Sequence, residues 1–280
     1  MQEYTLFYLV FFSQILLVSF YYPRRMYKRM RHVIDTYPPT SYPKLYPKPI
    51  EFYERGQRNY RNANLLITFV GLFILAALMS NPHDGDVHNA ITMGYFMAQM
   101  LPVILLDLWS LKEFKLMRNA ASRSTRKADL HRRRFFDFVS PIQFGVAVIV
   151  YITFVLLVIY FNQFGFEWFG GYWNVFGMTL MNTLFAVTLL WHMYGKKLNP
   201  HQAHEDRVVQ IKSIAKLLIY TSIAATVFIA ASISLSALEV RHLLPIFLSI
   251  YFQLLAMIGS QAYRINHSNF DVYKEDPLAT

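Results

Sequence analysis

Seven apolar stretches of about 20 residues each, at 5–22, 62–80, 89–110, 141–161, 171–194, 214–236 and 242–263, govern what this chain can fold into. A helix rises 1.5 Å per residue, so about 20 apolar residues cover the hydrocarbon of a bilayer. A soluble core has no room for seven such blocks in 280 residues, of which 55% are hydrophobic and only 16% charged. The expected fold is an all-α polytopic membrane protein with seven transmembrane helices.

Basic residues fix the expected orientation, because Lys and Arg in short loops stay on the cytoplasmic side. The segments 23–61, 111–137, 195–216 and 263–280 hold ten, nine, five and two of them, and only Arg241 lies on the other side. This predicts the N-terminus outside and the C-terminus inside. Segment 5–22 has Glu3 before it and Arg24 and Arg25 after it, the reverse of a cleavable signal, and reads as a retained first helix. Compactness and the absence of a eukaryotic targeting signal favour the bacterial cytoplasmic (inner) membrane. The short outer loops predict antiparallel neighbours, giving one N-terminal helix plus three hairpins in a single membrane domain, with 264–280 as a cytoplasmic tail.

The second helix of each expected hairpin carries one mid-span amide, Gln99, Asn182 and Gln253, at comparable distances from the first following base. Equal depth predicts a polar layer inside the bundle, since an amide facing lipid is unsatisfied. Asp107 is the one acid inside a span, close enough to Trp109 and Lys112 to reach the interface.

The basic loop 23–61 divides into two parts. Met26, Met30 and Ile34 among bases predict an amphipathic helix at the headgroups. Tyr37-Pro38-Pro39, Tyr42-Pro43 and Tyr46-Pro47-Lys48-Pro49 then predict an extended, polyproline-like strap, because proline fixes φ and removes donors. Its tyrosines either pack on the inner helix ends or face a partner. Together with Arg24, Arg25 and the run Arg132, Arg133, Arg134 they form the expected surface for anionic lipid headgroups or a protein partner. The basic loops do not indicate nucleic acid, since topology alone accounts for them.

Ser140-Pro141 predicts the start of the fourth helix. Asn199-Pro200, with Gln202 and acids following, predicts the start of the sixth. His201 and His204 with Glu205, and His192 at the end of the fifth helix, are candidate metal ligands at the inner face. The outer loop His83-Asp84-Gly85-Asp86-Val87-His88 offers a second candidate set, although its Asp-Gly pair is also a turn signal.

Several classes are excluded. There is no cysteine for thiol or disulfide chemistry. No lysine lies between Lys216 and Lys274 to carry a retinal Schiff base, and no acid cluster or glycine-rich loop is present to hold phosphates. No cofactor is indicated. The unusual residues lie in the inner loops while the spans are bland, which favours a non-enzymatic docking or assembly component. A transporter or channel for a small uncharged or lipid-like solute, lined by Gln99, Asn182 and Gln253, is the second reading. An inner-face metalloenzyme is the third.

Overall fold

The computed structural model describes residues 4–81, 85–120, 134–195, 199–262 and 269–274. Among these there is no strand, and seven helices are long and apolar enough to cross a membrane. They are α1 (Thr5–Thr36), α2 (Ile50–Ser80), α3 (Gly85–Ala120), α4 (Pro141–Asn162), α5 (Trp173–Tyr194), α6 (His204–Ala237) and α7 (Leu244–Ala262). The chain is therefore an integral, multi-pass membrane protein.

Four of the helices run well past their apolar cores. Charge lowers hydropathy without lowering helix propensity, so a hydropathy boundary marks where apolar side chains stop and not where the helix stops. Segment 23–61, expected as a loop, is non-helical mainly at 37–49: α1 continues to Thr36 and α2 begins at Ile50 instead of near 62. The amphipathic stretch is thus the continuation of α1. It packs on the start of α2, with Arg61 over the Tyr27 ring and Arg31 3.8 Å from Glu54.

Pro23 stands inside α1, where its ring would press on the carbonyl one turn back. The turns before it, Ile15–Tyr21, are π-helical, and the wider winding takes up that misfit. Tyr37 precedes Pro38, which disfavours helical ψ at Tyr37, and α1 ends there. At the sixth helix, expected to start at Asn199 and Pro200, α6 begins only at His204. The Asn199 carboxamide oxygen accepts the His201 N–H at 3.0 Å and makes a local turn. Pro141 opens α4 as expected, with Ser140 before it making no side-chain cap.

Two helix groups share the seam between α6 and α7. In one, α1 packs against α2 and α7, and α3 packs on α2 and α7. Phe7, Phe11 and Ile15 of α1 meet Leu75, Leu78, Tyr95 and Ile246, and the Phe96 and Phe252 rings stack 3.9 Å apart across α3 and α7. In the other, α4 and α5 each lean on α6 and scarcely touch one another. Of the expected one helix plus three hairpins, α1 is an integral member of a four-helix group, while α4 and α5 meet only locally, through Tyr151 and Thr179 and around Phe154, Val158 and Met178. Their connection is aromatic. Phe161, Phe164, Phe166, Trp168 and Phe169 build an aromatic knot there, turned by Gly165 and Gly171 at φ +62° and +53°. Only 11% of the apolar window of α4 and of α5 is buried inside the protein, against 22–33% for the other five. These two helices give most of their surface to the bilayer.

The 37–49 strap is folded onto the protein. It is not uniformly extended, since Pro43–Leu45 forms a single 3-10 turn. The Tyr37 ring stacks on Phe270 at 4.0 Å and receives the Tyr42 ring edge-on, and the Tyr46 hydroxyl donates to the Tyr37 carbonyl at 2.7 Å. Burial pushes the Tyr46 hydroxyl up to about 12, so it remains a donor at every physiological pH. Lys48 reaches Glu113 of α3 at 2.6 Å, and the Tyr53 hydroxyl donates to the other oxygen of that carboxylate at 2.8 Å. Glu113 is 12% exposed and Lys48 32%, which places this pair between surface and buried bridges in worth. Glu113→Ala is expected to cost about 1–2 kcal/mol. It should also raise hydrogen exchange across 37–49, while exchange in α4 and α5 stays unchanged.

Candidate functional site

A buried polar network fastens α1 to α3 and α7. Gln14, fully buried, donates through Nε2 to Gln99 Oε1 at 3.0 Å and accepts the Ser249 hydroxyl on Oε1 at 2.7 Å. Gln99, 2% exposed, donates to Ser19 Oγ at 2.8 Å. The Tyr95 hydroxyl donates to the Ile67 carbonyl at 3.0 Å, so it accepts from Ser19, 3.0 Å away. Gln253 donates to the Val10 carbonyl at 3.1 Å and accepts from Ser13 at 3.1 Å. Proton directions are therefore determined from Ser249 through Gln14, Gln99 and Ser19 to Tyr95, while the single Ser13 proton is shared between the Val10 carbonyl at 2.7 Å and Gln253. Such a network joins helices; it has no group to spare for a passing solute.

Of the three amides expected to share one layer, only Gln99 and Gln253 belong to this network. Asn182 lies in the other helix group, on α5, where its Oδ1 accepts the Ser222 hydroxyl of α6 at 2.7 Å. Hydropathy fixes the depth of a residue and says nothing of the helix's rotation. The members not anticipated are Ser13, Gln14, Ser19, Tyr95 and Ser249. Ser13-Gln14, a polar pair in the middle of an apolar run, was the available signal.

Asn182 lines a groove of about 510 Å³ between α4, α5 and α6. Phe138, Leu189, Met193 and Ile211 close it at one end, and Phe154, Val158, Met178 and Ala225 pack at the other. Between these clusters, small side chains at Ala147, Thr179, Ala186 and Ser222 leave the space unfilled. The groove's hydroxyls are committed. Thr179 donates to the Val175 carbonyl and accepts from Tyr151, Thr183 donates to the Thr179 carbonyl, and Ser222 donates to Asn182. Among the described residues the Asn182 Nδ2 group has no acceptor. It is the tenth residue of a 22-residue helix, about 14 Å from the start of a rod about 33 Å long.

The remaining expected site residues are dispersed. Asp107 is on an exposed face of α3, while Trp109 beside it covers Gly56 and packs on Phe52. Arg24 lies over the Phe20 ring, and the Arg134 backbone N–H donates to Asp137 at 2.9 Å. Arg132 and Arg133 lie outside the described residues, as do His83 and Asp84. His88 is fully buried among Tyr4, Phe7 and Tyr8, away from the exposed Asp86. His192 contacts the Thr188 carbonyl of its own helix, and His201 faces the Tyr273 ring. Among the described residues no three His, Asp or Glu side chains converge as a metal site, so His192, His201, His204 and Glu205 do not form one group.

No protein-family model, curated protein or solved structure matches this chain.

Proposed function

We propose that this is a multi-pass protein of the bacterial cytoplasmic membrane, with its basic segments on the cytoplasmic face, that binds an uncharged, lipid-like solute in the groove between α4, α5 and α6. The observation that carries this reading is the Asn182 carboxamide, which offers an unmatched N–H donor near the middle of a membrane-spanning helix. In hydrocarbon such a donor costs several kcal/mol. Phospholipid esters stay at the interface and do not reach it. The matching solute is apolar over most of its length and carries a carbonyl, ether or hydroxyl oxygen that reaches mid-membrane. A volume of about 510 Å³ lies within the range of small-molecule sites. The lining supplies no carboxylate, imidazole or amine for acid–base chemistry, which favours binding over catalysis. The docking reading draws less support, because Tyr37, Tyr42 and Tyr46 are engaged within the protein.

The test uses purified protein in phosphatidylcholine nanodiscs with a long-chain methyl ketone, labelled with carbon-13 at the carbonyl. Wild-type protein is expected to shift the labelled carbonyl stretch to lower frequency, saturating at one ketone per chain. Asn182→Leu should weaken this binding by about tenfold at unchanged thermal midpoint. An unshifted band in the wild type, or the same shift in the variant, would discard the proposal.

A further inference from the structure

A second cavity, of about 110 Å³, lies in the other helix group and has a different chemistry. Its walls are Val18 and Met26 of α1, Met100 and Val103 of α3, and Leu255 and Ala256 of α7, so one part is hydrocarbon-like. Arg25 and Arg29, one turn apart on α1, line it as well, and no acidic side chain does among the described residues. Arg25 makes no ion pair or hydrogen bond within the described residues, although α1 carries Asp35 and α2 carries Glu51 and Glu54. Glu54 is engaged by Arg31 and Arg58. From Val18 to Arg29 is about 16 Å along a helix, the distance from a phospholipid's phosphate into its upper acyl chain.

We infer that this cavity seats one anionic phospholipid, with its phosphate between Arg25 and Arg29 and the first part of an acyl chain against Val18, Val103 and Leu255. Three properties together select that ligand. The Arg25 guanidinium, with the Arg29 positive charge one turn on, matches a phosphate diester, which accepts charge-assisted hydrogen bonds. The remaining wall is mainly apolar, with Tyr22, Tyr60, Gln99 and Ser260 as its uncharged polar members, and disfavours a free inorganic anion, which would have to leave water on that side without a further cation. The volume admits a segment of one chain and not a whole lipid, so the rest of the molecule stays in the surrounding leaflet and the site exchanges laterally with it. Gly259, also on the wall, has no atom within 4 Å of the position a Cβ would take, which makes it the place to fill the cavity without disturbing the arginines. The groove at Asn182 plays no part, so this inference stands or falls apart from the proposed function.

The experiment is native mass spectrometry of the full chain released from nanodiscs of equimolar dioleoyl phosphatidylglycerol and dioleoyl phosphatidylcholine. Wild-type protein is expected to retain one phosphatidylglycerol beyond the statistical distribution and no excess phosphatidylcholine. Arg25→Gln with Arg29→Gln should lower that retention by at least about tenfold. Gly259→Leu, which keeps both charges, should lower it comparably. Inorganic phosphate added before release should not displace the lipid. Retention unchanged in either variant, equal retention of the two lipids, or displacement by inorganic phosphate would overturn the inference. Far-ultraviolet circular dichroism and the thermal midpoint report that each variant is folded.

Discussion

Gly71→Ala is expected to destabilise the bundle by about 3 kcal/mol. The Tyr95 hydroxyl lies against Gly71, well inside the contact distance of any Cβ built there. That hydroxyl cannot simply retreat, because it donates to the Ile67 carbonyl and accepts from Ser19, which in turn accepts from Gln99. The methyl therefore either spreads α2 from α3 or drives Tyr95 out, and the second outcome leaves the Ser19 hydroxyl proton without its acceptor in an apolar interior. The double variant Gly71→Ala/Tyr95→Phe separates the two. Removing the hydroxyl takes away the nearest of three clashing atoms and frees the ring from Ile67 and Ser19 so that it can tilt off the methyl, and the pair should be at least about 1 kcal/mol more stable than the sum of the single effects. Unfolding in mixed micelles measures all four forms. Additive effects would show that the helices had moved apart instead.

Gln14→Leu comes next, at about 2 kcal/mol. A mid-membrane side-chain hydrogen bond contributes only about 0.6 kcal/mol on average, because the unfolded helix also finds partners in the membrane. Gln14 is worth more than that because both ends of its carboxamide are used, on α3 and on α7. Leucine fills the same space but leaves the Gln99 oxygen without its donor. Ser249 has a fallback in the Val10 carbonyl, 3.4 Å away, and loses less. Replacing Gln14 and Gln99 together removes both the donor and its stranded acceptor. The double variant should then recover about 1 kcal/mol relative to the sum of the single ones.

The seven spans were legible because about 20 apolar residues in a row have few folded alternatives. Depth was legible too: Gln99, Asn182 and Gln253 do lie in the interiors of their helices. Azimuth was not. Nothing in a hydropathy profile tells whether Asn182 turns toward Gln99 or, as found, toward Ser222 in another helix group. The continuation of α1 to Thr36 was half legible, since its amphipathic pattern was visible but was expected as a separate surface helix. The two are joined through seven residues of π-helix, a local adjustment with no sequence signature of its own. The groove at Asn182 was hidden for a related reason. It exists because small side chains at Ala147, Thr179, Ala186 and Ser222 meet between α4, α5 and α6, and hydropathy does not tell that these positions face one another.

The position of Gln14 also bears on how the protein is made. The side chains that satisfy the polar face of α1 include Ser249 and Gln253 of α7, and Gln14 is separated from Ser249 by 235 residues. At a translation rate of about 5–20 residues per second, roughly 12 to 47 seconds pass between the synthesis of the two. Gln99 follows Gln14 by 85 residues and can take up its N–H, but the carboxamide oxygen waits for Ser249 through the whole interval. Final assembly of this half of the bundle is therefore a post-synthetic event, and a nascent chain truncated before Ser249 is a natural substrate for membrane quality control.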